Sequence, residues 1–430
     1  MLFPKILAGQ RREPRFWTDI LIMAAVLMDW LPSYVQAMLS GGAESGLIVS
    51  GSKLVILPLL LLDFVKSKEY WLRGFRIPLI VGGLFVLIFL PVMVHDYTAP
   101  LARIRPHVFN ILLLFYFAHH RSFERCRFLM LFAVFCASTV PFAQVLVDLG
   151  VMQPLATHTG GGETVERFFA VTRTATVGVF SAYCLASLGG LVFVLHLRRW
   201  YLMLPISMVI MGASLMTPLF TSQRTVFIVA LLSFIGGFLI FARARIASAS
   251  LMAIVGALCA PLLLVFVSAD LMDRWYYLME RFAGVDLGGF GTENSAYLRF
   301  QEIMMVLERM FPFPDFIGPG VIAYTSTVGV APHTFVGALY FDGGILFLAI
   351  YTVFICYLGI AYCRSYMNQR EPARRALLAC YMVYFCAYFL NSLTMPIMGD
   401  RIVPFTLGMG LSILAACSPQ RQHYPQRRQA

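Results

Sequence analysis

The chain has little charge. Asp, Glu, Lys and Arg make up 13% of its 430 residues and apolar types 59%, a balance that excludes an ordinary water-soluble domain. None of the nine cysteines falls in an extended polar segment, and none has metal-ligand spacing, so neither a disulfide scaffold nor a zinc site is expected. Internal repeats, low-complexity tracts and nucleic-acid motifs are absent. The first apolar stretch is too long for a signal core and has no convincing small-residue cleavage site, so it is expected to stay as a span. Acidic residues number 22 against 33 Lys and Arg, a formal charge of +11. In a soluble protein that surplus would suggest nucleic acid as a partner. Here it sits mainly in short turns between apolar runs, where anionic membrane lipids are a sufficient partner and no nucleic acid is needed.

What the chain does have is apolar runs long enough to cross a bilayer, which takes about 20 residues for roughly 30 Å of hydrocarbon. Twelve are read at about 16–39, 46–65, 77–94, 104–119, 128–148, 174–196, 200–219, 225–242, 248–268, 335–362, 376–394 and 401–417. The expected fold is an all-α polytopic membrane protein, one membrane domain over 1–430. The connections differ in charge from one side to the other. With a cytoplasmic N-terminus, 22 of the 33 basic residues fall in short cytoplasmic connections or tails, among them Arg11, Lys66, Arg125, Arg198, Arg243 and Arg374. The positive-inside rule orients the chain that way, with both termini in the cytoplasm. Lys53 and Asp29 lie within spans and read as a structural pair if those spans are neighbours. The ten basic residues left outside are Arg103, Arg105, Arg167, Arg173, Arg224, Arg274, Arg281, Arg299, Arg309 and Arg401, with no lysine among them. Arginine is the side chain that grips phosphate with two parallel hydrogen bonds.

Two outside loops are long. One, from about Gly150 to Arg173, contains THTGGGETVERFFAVTR. The other, 269–333, is far longer than a turn in a helical bundle requires. Function concentrates in such loops. Within 269–333, DLMDRWYYLMERF reads as an amphipathic interfacial helix, GVDLGGFGTEN as a glycine-rich break and SAYLRFQEIMMVLERMF as a second helix. PFPDFIGPG stops the latter, because proline cannot continue a helix. The tail at 418–430 is polar and basic, and is expected to be cytoplasmic and disordered.

Three outside segments carry residue types suited to chemistry. Arg224 sits in TSQRTVF at the mouth of the eighth span, Arg299 in ENSAYLRFQEI, and His333 in APHTFVGALYFDGG at the mouth of the tenth. Two arginines can hold a diphosphate and stabilise its charge as it leaves. A histidine can take a proton from an attacking hydroxyl near neutral pH. Each residue also has a plain structural reading. An arginine at a span end snorkels to headgroups, and a histidine after proline serves as a cap or packs a loop. Arg167 and Arg173 are placed to reach a glycan or phosphate, as is Arg401, although Asp400 beside it points to a local ion pair.

In their order these segments resemble the O-antigen ligase and O-antigen polymerase superfamily of bacterial membrane glycosyltransferases. That family has Ser-Arg-Thr or similar at an outer span end, an arginine early in a large outer loop, a Pro-Leu-x-Gly-x-Gly segment, and a His-Asn pair followed downstream by an acidic residue and glycines. The matching places here are Ser222-Gln223-Arg224-Thr225, Arg299, Pro314 with Gly318-Pro319-Gly320, His333-Thr334, then Asp342 and Gly344. The resemblance covers about 200–400. Gln223 interrupts the Ser-Arg pair, Thr334 stands for the asparagine and Asp342 for a glutamate, departures that bear on the acceptor more than on the reaction class. The resemblance implies a GT-C-like fold of about 12 transmembrane helices in the bacterial inner membrane, with a large helical periplasmic loop. It implies an undecaprenyl-diphosphate-linked glycan as donor, inversion at the anomeric centre, and no metal or cofactor. His333 would act on the acceptor, and Arg224 and Arg299 on the diphosphate. The outside loops hold no Asp-x-Asp motif, in keeping with metal independence. The acceptor would be a saccharide in a polymerase, or the lipid A core in a ligase. Neither outer loop carries an obvious basic platform for a phosphorylated core, which favours polymerase.

A lipid or solute transporter is the competing class, since twelve spans is a common transporter number. Transporters tend to show repeated halves and broken helices near the midplane, whereas here no repeat is visible and the polar candidates cluster at one face. The topology is directly testable. Cysteine labelling or reporter fusions should place both termini in the cytoplasm and Arg299 outside. A cytoplasmic Arg299 would sink the orientation and the chemistry together.

Overall fold

A computed structural model gives the fold. It describes residues 16–28, 47–66, 100–118, 122–152, 175–196, 200–221, 224–244, 295–311, 334–392 and 402–417, with isolated positions 30, 31, 34, 35, 275, 276, 279 and 316. Among the described residues there are helices and no strand: α1 (Phe16–Leu27), α2 (Leu47–Lys66), α3 (Pro100–Ala118), α4 (Phe123–Asp148), α5 (Ala175–Leu195), α6 (Trp200–Thr221), α7 (Arg224–Ala244), α8 (Ser295–Met310), α9 (Phe335–Asn368), α10 (Pro372–Ser392) and α11 (Ile402–Cys417). Ten of the twelve apolar runs contain one of these helices, and the runs at 77–94 and 248–268 lie outside the described residues. Among the described residues three helical segments are long and apolar enough to cross a membrane: Phe123–Val147, Gly344–Asn368 and Pro372–Asn391. They are apolar outside as well as inside. Phe135, Phe142, Val353, Tyr357 and Leu390 are exposed, as expected where lipid replaces water as the solvent.

The chain divides into two compact units, one of Met1–Leu62 with Arg127–Leu278, the other of Asp63–Cys126 with Met279–Ala430. In the first unit α6 and α7 pack on α5 and on each other. Small residues allow this. A Cβ on Gly237 of α7 would sit 2.6 Å from the Ala186 carbonyl oxygen of α5. Buried hydroxyls donate to backbone carbonyls, Ser187 to Tyr183 at 2.6 Å and Ser233 to Val229 at 2.6 Å within their own helices, and Ser181 across to Ala137 of α4 at 2.7 Å. Within the first apolar run α1 ends at Leu27 in a turn at Met28, and helical backbone recurs at Trp30, Leu31, Tyr34 and Val35. Trp30 then donates to Thr139 Oγ1 at 3.1 Å and packs with Tyr34, Val140 and Ala143.

In the second unit α11 packs on α3, and α9, α10 and α11 pack on one another. A Cβ on Gly408 would lie 2.6 Å from Phe117 Cβ, and Ser412 Oγ donates to the Phe117 carbonyl at 2.5 Å. Tyr362, Tyr381, Tyr384 and Tyr388 form a fully buried column. Three of their hydroxyls reach α11: Tyr362 donates to the Gly410 carbonyl at 2.7 Å, Tyr381 to the Thr406 carbonyl, and Tyr384 pairs with Thr406 Oγ1 at 2.9 Å. The last turn of α11 is capped by the α9–α10 turn. Gln369 Nε2 donates to the Cys417 carbonyl at 2.7 Å, and a guanidinium nitrogen of Arg374 donates to the Ala416 carbonyl at 3.3 Å, a positive charge at the negative end of a helix.

α9 departs from expectation. It is broken at Gly344, whose φ of 70° and ψ of −167° belong to a region that only glycine occupies readily. The Phe335 and Tyr351 ring centroids are 5.2 Å apart. A straight helix at ~1.5 Å per residue would hold those Cα atoms about 24 Å apart. The two segments therefore fold toward each other across Gly344, and Phe335 also meets Phe389 of α10 at 6.3 Å. The span expected to start at 335 starts at Gly344 instead. Asp342, expected two and a half turns below His333 on one straight helix, stands beside the reversal, at the opposite end of the short segment from Thr334.

Alanine at 344 should be strained, and alanine at Gly212 of α6, where an added Cβ meets nothing, should not. Gly344→Ala is expected to destabilise the purified protein by about 1–3 kcal/mol. Gly212→Ala should be neutral or stabilising by a few tenths. Thermal unfolding in one detergent checks both. Equal midpoints for the two variants would rule out the broken α9.

Candidate functional site

The best-defined polar constellation joins α8 to the start of α9. α8 forms where the sequence pattern places it, and Phe311 with the proline-rich run beyond ends it. It has two faces. Phe300, Ile303, Met304, Leu307 and Phe311 are exposed at helical spacing, the surface an interfacial helix presents to lipid. Glu302 and Val306 are buried on the other side, where Val306 joins a cluster with Tyr340 and Phe341 of α9.

Glu302 is 1% exposed. Its Oε1 accepts from the backbone N–H of Thr334 at 3.0 Å and from the Thr334 hydroxyl at 2.6 Å. Thr334 is itself the N-cap of α9, its Oγ1 accepting from Gly337 N–H at 2.9 Å. Seven residues further along α8, the Arg309 carbonyl accepts from the Tyr340 hydroxyl at 3.0 Å, and the Arg309 guanidinium lies 5.9 Å from the Phe341 ring centroid. The two ties advance in the same sense on both elements, so α8 runs parallel to the first segment of α9.

The cap is divided between two elements. In the usual capping box a Ser or Thr at the N-cap bonds the N–H three residues on, and a Glu or Gln at that third position bonds back to the N-cap N–H. Here the third position is Gly337, which has no side chain, and Glu302 of α8 supplies the missing carboxylate. A Cβ at 337 would collide with the Glu302 carboxylate, so glycine is required for its space.

Arg299 lies in α8 one turn before Glu302, and His333 immediately precedes Thr334 in the chain. The hydrogen bonds therefore join the turn after Arg299 to the residue after His333. Arg224 begins α7 and belongs to the other unit. His333, Arg167, Arg173 and Arg401 lie outside the described residues, as do Asp29, Ser222, Gln223, Pro314, Gly318, Pro319, Gly320 and the tail at 418–430. The described residues contain no group of three His, Cys, Asp or Glu placed to hold a metal ion.

Sequence reading missed Glu302 and treated Thr334 only as a departure from the family asparagine. The signals were present. Glu302 is an acid on the same stripe as Leu298, Val306 and Arg309, and Thr334 precedes an apolar run with no Glu or Gln three positions later.

No protein-family model matches the chain, and no curated protein matches it. Among solved structures, it matches a chain from work described as "Structural coordination of polymerization and crosslinking by a peptidoglycan synthase complex". The two share 14% identity over 79% of this chain and 96% of the other, with a TM-score of 0.37. A superposition of that quality carries no argument about fold or function, and the functional reading rests on the residues themselves.

Proposed function

We propose that this protein is a metal-independent inverting glycosyltransferase. It would transfer a glycan from undecaprenyl diphosphate to a saccharide acceptor at the periplasmic face of the inner membrane, as a polymerase of surface polysaccharide. The observation that carries the reading is the Glu302–Thr334 tie, which holds the helix bearing Arg299 against the start of the segment that follows His333. The order Arg224, Arg299, His333 and its resemblance to the O-antigen ligase and polymerase superfamily supply the chemistry.

In this mechanism the acceptor hydroxyl oxygen attacks the anomeric carbon as the bond to the diphosphate oxygen breaks on the opposite face. The hydroxyl proton passes to the His333 imidazole. The negative charge that develops on undecaprenyl diphosphate is met by Arg224 and Arg299. Diphosphate is already a good leaving group, so a base and charge stabilisation are the main requirements. Transfer to a lipid A core is the alternative outcome of the same chemistry, and glycan ladders from polymerase-deficient and ligase-deficient strains complemented with this gene separate the two. Transport of a lipid or solute is a second reading, and the break at Gly344 favours it, because interrupted helices line many transport sites. Release of free undecaprenyl diphosphate by the purified protein distinguishes transfer from transport.

Two outcomes test the mechanism. His333→Ala should lower turnover about 10²–10⁴-fold while expression and detergent-extracted monodispersity hold. Wild-type turnover by this variant would remove the general base. Arg224→Lys and Arg299→Lys should impair transfer nearly as much as the alanine variants, because lysine cannot make the bidentate grip, whose charge-assisted bonds are worth about 1.5–3 kcal/mol each. Full activity in both lysine variants would show that the arginines do not clamp a diphosphate.

A further inference from the structure

We infer that Glu302 is a positioning residue for transfer. By completing the α9 cap from α8, it ties the residue that follows His333 in the chain to the helix that carries Arg299. This inference rests on the transferase reading and adds a residue that neither the motif order nor the resemblance assigns.

A cap for α9 is available within α9 itself, because a Glu or Gln at 337 would close the box with Thr334. The chain has Gly337 there, and the space fills with the Glu302 carboxylate. The consequence is that order in the first turn of α9 depends on α8 being docked. Thr334 is fully buried and Glu302 nearly so, and both bonds from Thr334 converge on one carboxylate oxygen, so the contact is specific in distance and direction. The Tyr340–Arg309 bond, seven residues along α8, sets the rotation of the helix about its axis. Arg299 is one turn from the first tie, and His333 is one peptide bond from it. A base and a phosphate clamp that act on the two ends of one breaking and forming centre require their spacing to hold within a fraction of an ångström.

The test separates capping from positioning. Full-length protein is purified, and turnover is read as release of undecaprenyl diphosphate. The probe is the lipid-linked glycan extracted from a host strain lacking the protein. Amide hydrogen exchange reports the first turn of α9, Phe335–Ala338. Glu302→Ala should lose protection there and lower kcat about 10–100-fold. Glu302→Gln keeps an oxygen that accepts both Thr334 bonds, each roughly half as strong, and should stay within about threefold of wild type. The double variant Glu302→Ala with Gly337→Glu rebuilds the box within α9. It should regain exchange protection while kcat stays about tenfold or more below wild type.

Recovery of kcat in the double variant would show that Glu302 only caps a helix, and would overturn the inference. So would wild-type turnover by Glu302→Ala, or a Glu302→Gln as damaged as the alanine variant, since the latter would mean that the charge itself acts. If the double variant stays unprotected, Glu302→Gln alone decides by the same criterion. His333→Ala run beside them keeps the two readings apart. Wild-type turnover there sinks the transferase mechanism whatever Glu302 does, whereas an inactive His333→Ala beside an active Glu302→Ala sinks only the positioning role.

Discussion

The absence of water is the constraint from which the rest follows. A polar group in hydrocarbon has no solvent to fall back on, so a partner inside the chain is worth more there, although the buried hydroxyls of Tyr183 and Ser207 have none. Serine hydroxyls therefore bond carbonyls of their own or a neighbouring helix, and three tyrosine hydroxyls turn toward the backbone and side chains of α11. The same demand explains the capping of α11. The final carbonyls of a helix have no partner within the helix, and at Ala416 and Cys417 the side chains of Arg374 and Gln369 take that place. The packing that brings these groups within reach depends on small residues. Gly237 and Gly408 leave room for a neighbouring backbone where any side chain would hold the helices apart.

Under that constraint the break in α9 is informative. Interrupting an apolar helix frees backbone groups, and a chain tolerates it where protein covers the gap. Here α8 lies beside the short segment, Tyr340 and Phe341 pack on Val306, and the N–H groups of Thr334 and Gly337 both have acceptors. α8 packs one face on α9 and leaves a stripe of Phe300, Ile303, Met304 and Leu307 exposed, the kind of surface an interfacial helix offers to lipid.

The helices were legible in the sequence because hydrophobic length is a strong local signal. The runs read at 174–196, 200–219, 225–242 and 401–417 match α5, α6, α7 and α11 to within two residues at each end. α8 was legible for a different reason, its 3.6-residue period inside an otherwise irregular loop. The break in α9 was not. Within the described helices Gly-Gly pairs occur at 189–190, 236–237 and 343–344, and only the last interrupts its helix. Apolar residues flank all three, apart from Asp342 before the last. What differs is that α5 and α7 run against neighbours along their length, whereas the start of α9 is drawn aside by contacts with α8, which is distant in sequence. The Glu302 contact escaped notice on similar grounds, since 32 residues separate its partners and the local signals at Glu302 and Thr334 do not say that the two meet.

That separation also decides what kind of residue Glu302 can be. A cap built within one helix stabilises that helix wherever it lies. A cap built from two elements stabilises their relative placement, because the hydrogen bonds exist only in the docked state. The cost of the arrangement is visible at Gly337, since glycine in a helix interior is less favourable than alanine by about 0.5–1 kcal/mol. A chain selecting only for a stable α9 would place a helix-forming residue there, and Glu in particular would repair both the propensity and the cap. The glycine makes sense when the quantity being held is the distance between α8 and the chain that enters α9. On the proposed mechanism, that is the distance between the clamp on the leaving diphosphate and the base on the incoming hydroxyl.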